Sequence, residues 1–275
     1  MKQFIVTGIL LGLVLAGFAQ EEEGKVSKRQ ERKREKRERI SELMKLEEEG
    51  IPPFQKQHVF GAKLNTDGWG VSYEFGRANT PRRATIYQVE FNDKRHRKEK
   101  RNTKGIEGGG GFIFFGNPFV YGKQNSFYQV KMSMGQQVMI GAKGNKNGVA
   151  VYGIAAGGVS LGMERPYYVE LKQNTGINKR YVKYDSPDSL LFMSEPAILG
   201  RAGLSKGWNE MKLAPGLHAK AALRFDYNRF NNKISALEAG INAEFYFRKI
   251  EQMVYNPGNR FFMNAYISLL FGKRK

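Results

Sequence analysis

The sequence predicts an all-β chain: an eight-stranded antiparallel transmembrane β-barrel with a charged N-terminal periplasmic helical arm. Three observations predict it. The chain opens on a secretory signal. From His58 onward, segment after segment alternates apolar and polar residues, the mark of a strand with two unlike faces. The connections between those segments are short at one end and mostly long at the other, as in outer-membrane-type barrels.

At the N-terminus, Lys2 supplies a positive start and "FIVTGILLGLVLAG" an apolar stretch too short to span a bilayer. Gly17-Phe18-Ala19 places small residues at a cleavage position before Gln20, so residues 1–19 read as a signal peptide. Residues 20–57 form the arm and linker. Within them, "EEEGKVSKRQERKREKRERISELMKLEEEG" favours helix, with a partial stripe at Ile40, Leu43, Met44 and Leu46. Gly50, Pro52 and Pro53 end it. Such an arm suits a solvated tail or a contact with anionic headgroups or a partner.

Residues 58–275 form the barrel. The first strand, "HVFGAKLNT", turns at Asp67-Gly68 into "WGVSYEFGR". "ATIYQVEFN" (84–92) is the third strand and "SFYQVKMSMGQQVMIGA" (126–142) the fourth. The fifth lies at 149–163, and its faces do not separate, because Val149, Val151, Ile154 and Val159 fall on both parities. The sixth lies within 211–227, the seventh at 234–247 and the eighth at 261–271.

One face of these strands is apolar. The other carries Lys63, Glu74, Glu90, Lys131, Lys220, Arg224, Asp226, Glu238 and Glu244 among small and amide residues. In a soluble barrel the apolar face would point inward; in a membrane barrel it points to lipid. The chain is strongly basic, with a formal charge of +19. Its charged strand face is nevertheless nearly balanced. Balance suggests pairing in a narrow lumen, where an unpaired charge is costly. Eight strands leave an interior that side chains fill, so a plugged barrel is expected and not a pore. With the N-terminus periplasmic, the turns after even strands are short and lie beside both termini. The connections 93–125, 164–210 and 248–260 face outward, and only the first hairpin departs from that asymmetry.

"FFMNAYISLLFGKRK" resembles the terminal strand of bacterial outer-membrane barrels. The resemblance implies that Tyr266, Ile267, Leu269 and Phe271 carry a signal read by the barrel-assembly machinery. Here "GKRK" follows the aromatic, where the family pattern more often ends on it. Together with "TDGWGVSYEFGR", "FVYGKQNSFYQV", "SKGWNEMKLAPGLHAKAALRFDYNRF" and "NNKISALEAGINAEFYF", residues 58–275 look like an outer-membrane β-barrel family of Bacteroidetes-type Gram-negative bacteria. That resemblance implies fold and compartment and brings no catalytic residues.

The absence of cysteine excludes disulfides, thiolate metal sites and a cysteine nucleophile. The three histidines, His58, His96 and His218, lack metal-ligand spacing, and no cofactor motif occurs, so no metal or cofactor is expected. His218 and Asp226 share a strand but lie more than about 20 Å apart at roughly 3.3 Å per residue. An outer-membrane hydrolase is therefore disfavoured, although His218→Ala would be its test. Export makes nucleic acid an unsuitable partner despite the charge. Outer-membrane lipid, lipopolysaccharide and other envelope proteins remain. The loop segment "DKRHRKEKRNTKG" offers Lys94, Arg95, Arg97, Lys98, Lys100 and Arg101 as an outer basic patch for phosphates. "GGGGFIFFGNPF" adds Phe112, Phe114, Phe115 and Phe119, which should fold over themselves or bury in a partner. The length and aromatic content of 164–210 suggest ordered structure. The expected function is non-enzymatic: a structural or accessory subunit of an outer-membrane secretion or assembly complex. A lipopolysaccharide-binding or envelope-stabilising barrel is the alternative, with a soluble periplasmic barrel holding a ligand cavity as a further one.

Overall fold

The computed structural model describes residues 30–31, 33–38, 41, 54–107, 113–144, 148–171, 180–185, 187, 189–228 and 233–275. The chain divides into two units, Met1–Pro53 and Phe54–Lys275. In the first, residues 30–31, 33–38 and 41 are helical. Arg34 reaches Glu38 at 3.0 Å, one turn apart on the exposed surface. The expected signal peptide and the rest of the expected arm up to Pro53 lie outside the described residues, whereas Lys56 and Gln57, at the end of the expected linker, already belong to the first strand of the second unit.

The second unit begins with three long strands, β1 (Lys56–Asn65), β2 (Gly68–Thr80) and β3 (Arg83–Lys94). Four short ones follow in the next loop: β4 (Arg101–Asn102), β5 (Gly105–Glu107), β6 (Ile113–Phe115) and β7 (Phe119–Val120). Then come β8 (Asn125–Gly141) and β9 (Ala150–Pro166), and the short β10 (Val169–Leu171), β11 (Arg180–Val182) and β12 (Ile198–Arg201). The last three are long: β13 (Lys212–Asp226), β14 (Lys233–Ile250) and β15 (Asn259–Arg274). The eight long strands close into an antiparallel barrel in the order β1-β15-β14-β13-β9-β8-β3-β2. Closure pairs β1 with β15 from Gln57 opposite Arg274 to Asn65 opposite Tyr266. No sheet edge is left along that seam, so the ladder needs no water to satisfy its backbone groups.

The barrel is inverted relative to a soluble one. In β8, β13, β14 and β15 the outward positions near strand centres hold Met132, Met134, Ala219, Ala221, Ala239, Ile241, Ala265 and Ile267. Tyr128, Phe225, Phe245, Phe247, Phe261 and Phe271 mark their ends. Aliphatic middles between aromatic ends are the pattern of a lipid-facing wall. The strands run 10 to 18 residues, against about 9–11 for a tilted span. The chain is a transmembrane β-barrel.

Three local details differ from expectation. The first turn is Thr66-Asp67, because Asn65 already pairs with Gly68. Gly68 is required there: a Cβ would stand 1.9 Å from the Asp93 carbonyl oxygen. Although β8 bulges against it between Met139 and Gly141, β9 keeps one parity throughout, with even-numbered residues inward. Its faces looked mixed because Ile154 points in and packs with Ile86, Ala222 and Tyr266. Val151, Val159 and Leu161 point out. Finally, β15 runs on to Arg274, so "GKRK" is strand as far as its penultimate residue and Phe271 lies within it.

The barrel has two unlike ends. At one lie Phe54 and Gln55, the C-terminus and the connections 81–82, 142–149 and 227–232. The other bears the two-residue first turn and the connections 95–124, 167–211 and 251–258. Those long connections form a cap. Phe119, Tyr167, Val169, Leu171, Val182, Phe192 and Ile198 make a second hydrophobic core, with Tyr121, Tyr184, Met193 and Val254 packed on it. β10 sits between β11 and β12 in a small sheet of its own, and a one-turn helix, Ser189–Phe192, buries Phe192.

Candidate functional site

Strand parity sends one side chain in two from every long strand into the lumen. There the charged groups meet. The Arg224 guanidinium forks onto Glu74, with its two terminal nitrogens 2.8 and 2.6 Å from the two carboxylate oxygens. Its Nε donates to Glu238 at 2.9 Å and one terminal nitrogen also reaches the Gln137 amide oxygen at 3.1 Å. Glu238 further accepts from the Tyr266 hydroxyl at 2.6 Å and from Lys220 at 3.3 Å. Lys63 lies 2.7 Å from Glu90, with Lys220 at 3.7 Å and Lys131 at 4.0 Å from the same carboxylate. Lys131 and Lys94 both pair with Glu244, the latter at 2.6 Å. Lys94 extends the chain of ion pairs to Asp67 at 3.0 Å. At the opposite end Arg274 pairs with Asp226 at 2.8 Å.

From Asp67 to Glu74 these pairs run along the lumen as one connected ladder, with the Arg274–Asp226 pair standing separately. The cations are Lys63, Lys94, Lys131, Lys220, Arg224 and Arg274, and the anions Asp67, Glu74, Glu90, Asp226, Glu238 and Glu244. The set carries no net charge. Removing so many charges from water is affordable only when each is paired and its remaining valences are hydrogen-bonded. Gln57, Gln88, Gln129 and Gln137 supply several of those bonds. Apolar clusters fill the rest: Val59, Ile234, Ala236 and Leu270 toward one end, and Phe127, Ala214, Tyr246 and Ile250 toward the other.

Lys63, Glu74, Glu90, Lys131, Lys220, Arg224, Asp226, Glu238 and Glu244 are all buried in the lumen. Lys94 is corrected. The sequence places it in the outer basic patch, but it is 2 % exposed inside the barrel, because β3 continues past Asn92 and keeps its parity. Arg95, Arg97, Lys98, Lys100 and Arg101 are exposed on the capped end. Tyr266 is also reassigned within its group: it faces the lumen, whereas Ile267, Leu269 and Phe271 face lipid. Asp67, Arg274 and the four glutamines were missed. Alternation carried two or three residues beyond the expected strand ends would have found Arg274 and Lys94. Asp67 sits in a turn and has no such signal.

Of the loop aromatics, Phe119 is buried in the cap core and Phe115 is 78 % exposed. Phe112 and the Phe114 side chain lie outside what is described. His218 is buried opposite Glu244. Its ring nitrogens find no hydrogen-bond partner among the described residues, and Asp226 stands at the far end of the strand on Arg274. The two do not form a catalytic pair.

At the capped end, Arg95 is tied by its backbone N–H to the Asp67 carbonyl at 2.7 Å. Glu99 caps the His96 amide at 3.0 Å and pairs with Lys123 at 2.8 Å. Nδ1 of His96 accepts the Lys98 backbone N–H at 3.2 Å. Partial burial holds the His96 imidazole below its ordinary pKa, against the pull of Glu99. The native loop therefore binds fewer protons than the unfolded one as acid is added. Its contribution is complete above about pH 6.5 and is lost as the pH falls toward the depressed value. Exchange of the Lys98 amide is expected to be slow at pH 7 and faster at pH 5 than intrinsic rates explain. Unchanged protection would contradict the bond.

No protein-family model matches the chain, and no curated protein matches it in sequence. Among solved structures, it is similar to Ail, the attachment invasion locus protein of Yersinia pestis. Identity there is 9 %, with 81 % of this chain and 100 % of that one covered and a TM-score of 0.36. Neisserial surface protein A is 8 % identical over 81 % and 97 %, with a TM-score of 0.37. A major outer membrane protein from Thermus thermophilus is 11 % identical over 80 % and 98 %, with a TM-score of 0.38. The architecture itself is established by the strand pairing.

Proposed function

We propose that this chain is an integral outer-membrane barrel of a Bacteroidetes-type Gram-negative bacterium. Residues 1–19 are its signal peptide, 20–55 its periplasmic arm and linker, and the barrel begins with β1 at Lys56, with both barrel termini in the periplasm. It transports nothing through its lumen and catalyses no reaction. Its role is that of a structural or accessory subunit in an outer-membrane secretion or assembly complex, working through its two ends. Barrel-assembly machinery meets it during biogenesis, and other envelope proteins meet it afterwards.

The observation that carries this reading is the occupied lumen. Side chains of all eight long strands are buried there, linked by ion pairs that a permeating solute would have to break. What remains available for function is outside the lumen: a cap with its own core and the charged arm that the sequence predicts. In planar bilayers the purified protein is expected to give no stepwise conductance. Affinity purification in mild detergent is expected to return envelope proteins in fixed ratio. Regular channel steps would overturn the plugged barrel, and recovery of the barrel alone would overturn the accessory role.

A second reading, binding of lipopolysaccharide to stabilise the envelope, is favoured by one specific observation. The exposed arginines of the capped end stand at the upper border of the lipid-facing wall.

A further inference from the structure

The first hairpin is the only one at the capped end with a two-residue turn, and it leaves a notch in the rim. β1 stops at Asn65, opposite Tyr266. β15 begins at Asn259 and remains paired to β14 on its other side. Beyond the last bond, from the Thr66 N–H to the Ala265 carbonyl at 3.0 Å, the segment Asn259–Asn264 has no strand on its β1 side among the described residues. The wall is thus lower at β1–β2 than at β14–β15.

The segment after β3 crosses this gap. Two adjoining cavities of about 600 and 230 Å³ open along it, sharing Asp67, Arg95, His96 and Arg97. Arg101 lines the larger one. Leu64 and Trp69 border it on the hairpin side, and Phe261 and Met263 border the smaller one on the β15 side. Those four apolar side chains are exposed on the outer wall. The acids nearby are already engaged: Asp67 with Lys94 and Glu99 with Lys123. Lys98 is likewise held, donating to the Asn256 side chain at 2.8 Å. Arg97 and Arg101 have no carboxylate within ion-pairing distance among the described residues.

We infer that this notch seats the phosphate groups of a phosphorylated glycolipid of the outer leaflet, the lipid A part of lipopolysaccharide, whose acyl chains lie on the adjoining wall. Two unpaired guanidinium groups suit phosphate because each can donate two parallel hydrogen bonds. Their place at the boundary of the apolar belt selects a ligand with both an anionic head and hydrocarbon. A soluble anion would gain nothing from Leu64, Trp69, Phe261 and Met263. The inference rests on the membrane placement of the capped end given above.

Trp69 reports on the site directly. The full chain carrying Trp208→Phe, which leaves Trp69 as the sole tryptophan, would be titrated in neutral detergent micelles with bis-phosphorylated lipid A. A saturable change in Trp69 emission is expected, weakening as salt is raised. Arg97→Glu with Arg101→Glu should raise the apparent Kd at least tenfold, and dephosphorylated lipid A should bind the parent no better than phosphorylated lipid A binds that variant. Arg97→Lys with Arg101→Lys should fall between. Lys206→Glu with Lys212→Glu, equally exposed on the far side of the barrel, should leave the Kd unchanged. Equal binding by parent and Arg→Glu variant, or equal loss in the distant control, overturns the site. Heat-dependent gel mobility, run on every variant, checks the barrel separately. A parent without that shift overturns the membrane reading itself.

Discussion

Replacing Arg224 by leucine is expected to cost about 3–5 kcal/mol of barrel stability, the range for removing one partner of a buried ion pair. Arg224 is 1 % exposed and, among the described residues, is the one cation that pairs with both Glu74 and Glu238. Without it Glu238 keeps Lys220 and the Tyr266 hydroxyl. Among the described residues Glu74 then keeps the Gln57 amide, so a carboxylate is left in the lumen without a paired cation. Arg224→Lys should recover part of the loss, since a point charge restores attraction but cannot fork onto one carboxylate while reaching the other. Arg224→Leu combined with Glu74→Leu should cost less than Arg224→Leu alone, because the orphaned charge is gone. Urea unfolding in lipid vesicles, followed by tryptophan emission, measures all three. A single leucine variant as stable as the parent would mean that the lumen is wet enough to solvate Glu74.

Ile241→Arg is the second large effect, and it tests the opposite face. Ile241 lies at the middle of β14 and points away from the lumen. An arginine at mid-membrane on a barrel wall costs about 2–4 kcal/mol. Ile241→Ala should cost far less, because the alanine still faces hydrocarbon. The same arginine on a soluble barrel would be nearly neutral at this exposed position. The pair of variants therefore decides whether the outer face meets lipid or water. The fraction of chain reaching the heat-modifiable form in outer-membrane extracts is the measurement.

The eight long strands were legible because each has two faces of different chemistry at a period of two. Alternation identified the nine lumen charges, and near-balance among them hinted that they pair. It faltered on β9, where Ile154 is apolar and inward. A lumen of eight strands is too narrow to be wholly polar, and such residues fill gaps between ion pairs that only the closed barrel reveals. It stopped early at Lys94 and Arg274 for a related reason. Basic residues after an apolar run look like loop or tail until a carboxylate from another strand is seen beside them. Glu244 is 150 positions from Lys94, and Asp226 is far from Arg274 in the chain.

The cap shows the same division. Length and aromatic content pointed to order in the loops, but Phe119 in the core and Phe115 in the open belong to one sequence run and have the same composition around them. Their fates depend on β10, β12 and the Ser189–Phe192 turn, which arrive from elsewhere in the chain.

By itself, the sequence determined the class of fold, the parity of nearly every strand, the even strand number and the side on which long connections emerge. These follow from local periodicity and from the limited ways a sheet can close. The tertiary structure decided which charges pair, that Lys94 belongs to the lumen, and that the short first hairpin leaves an arginine-lined notch against β15. Those are contacts between segments distant in the chain. Each depends on the stagger of one strand against its neighbour, which alternation along a single strand does not encode.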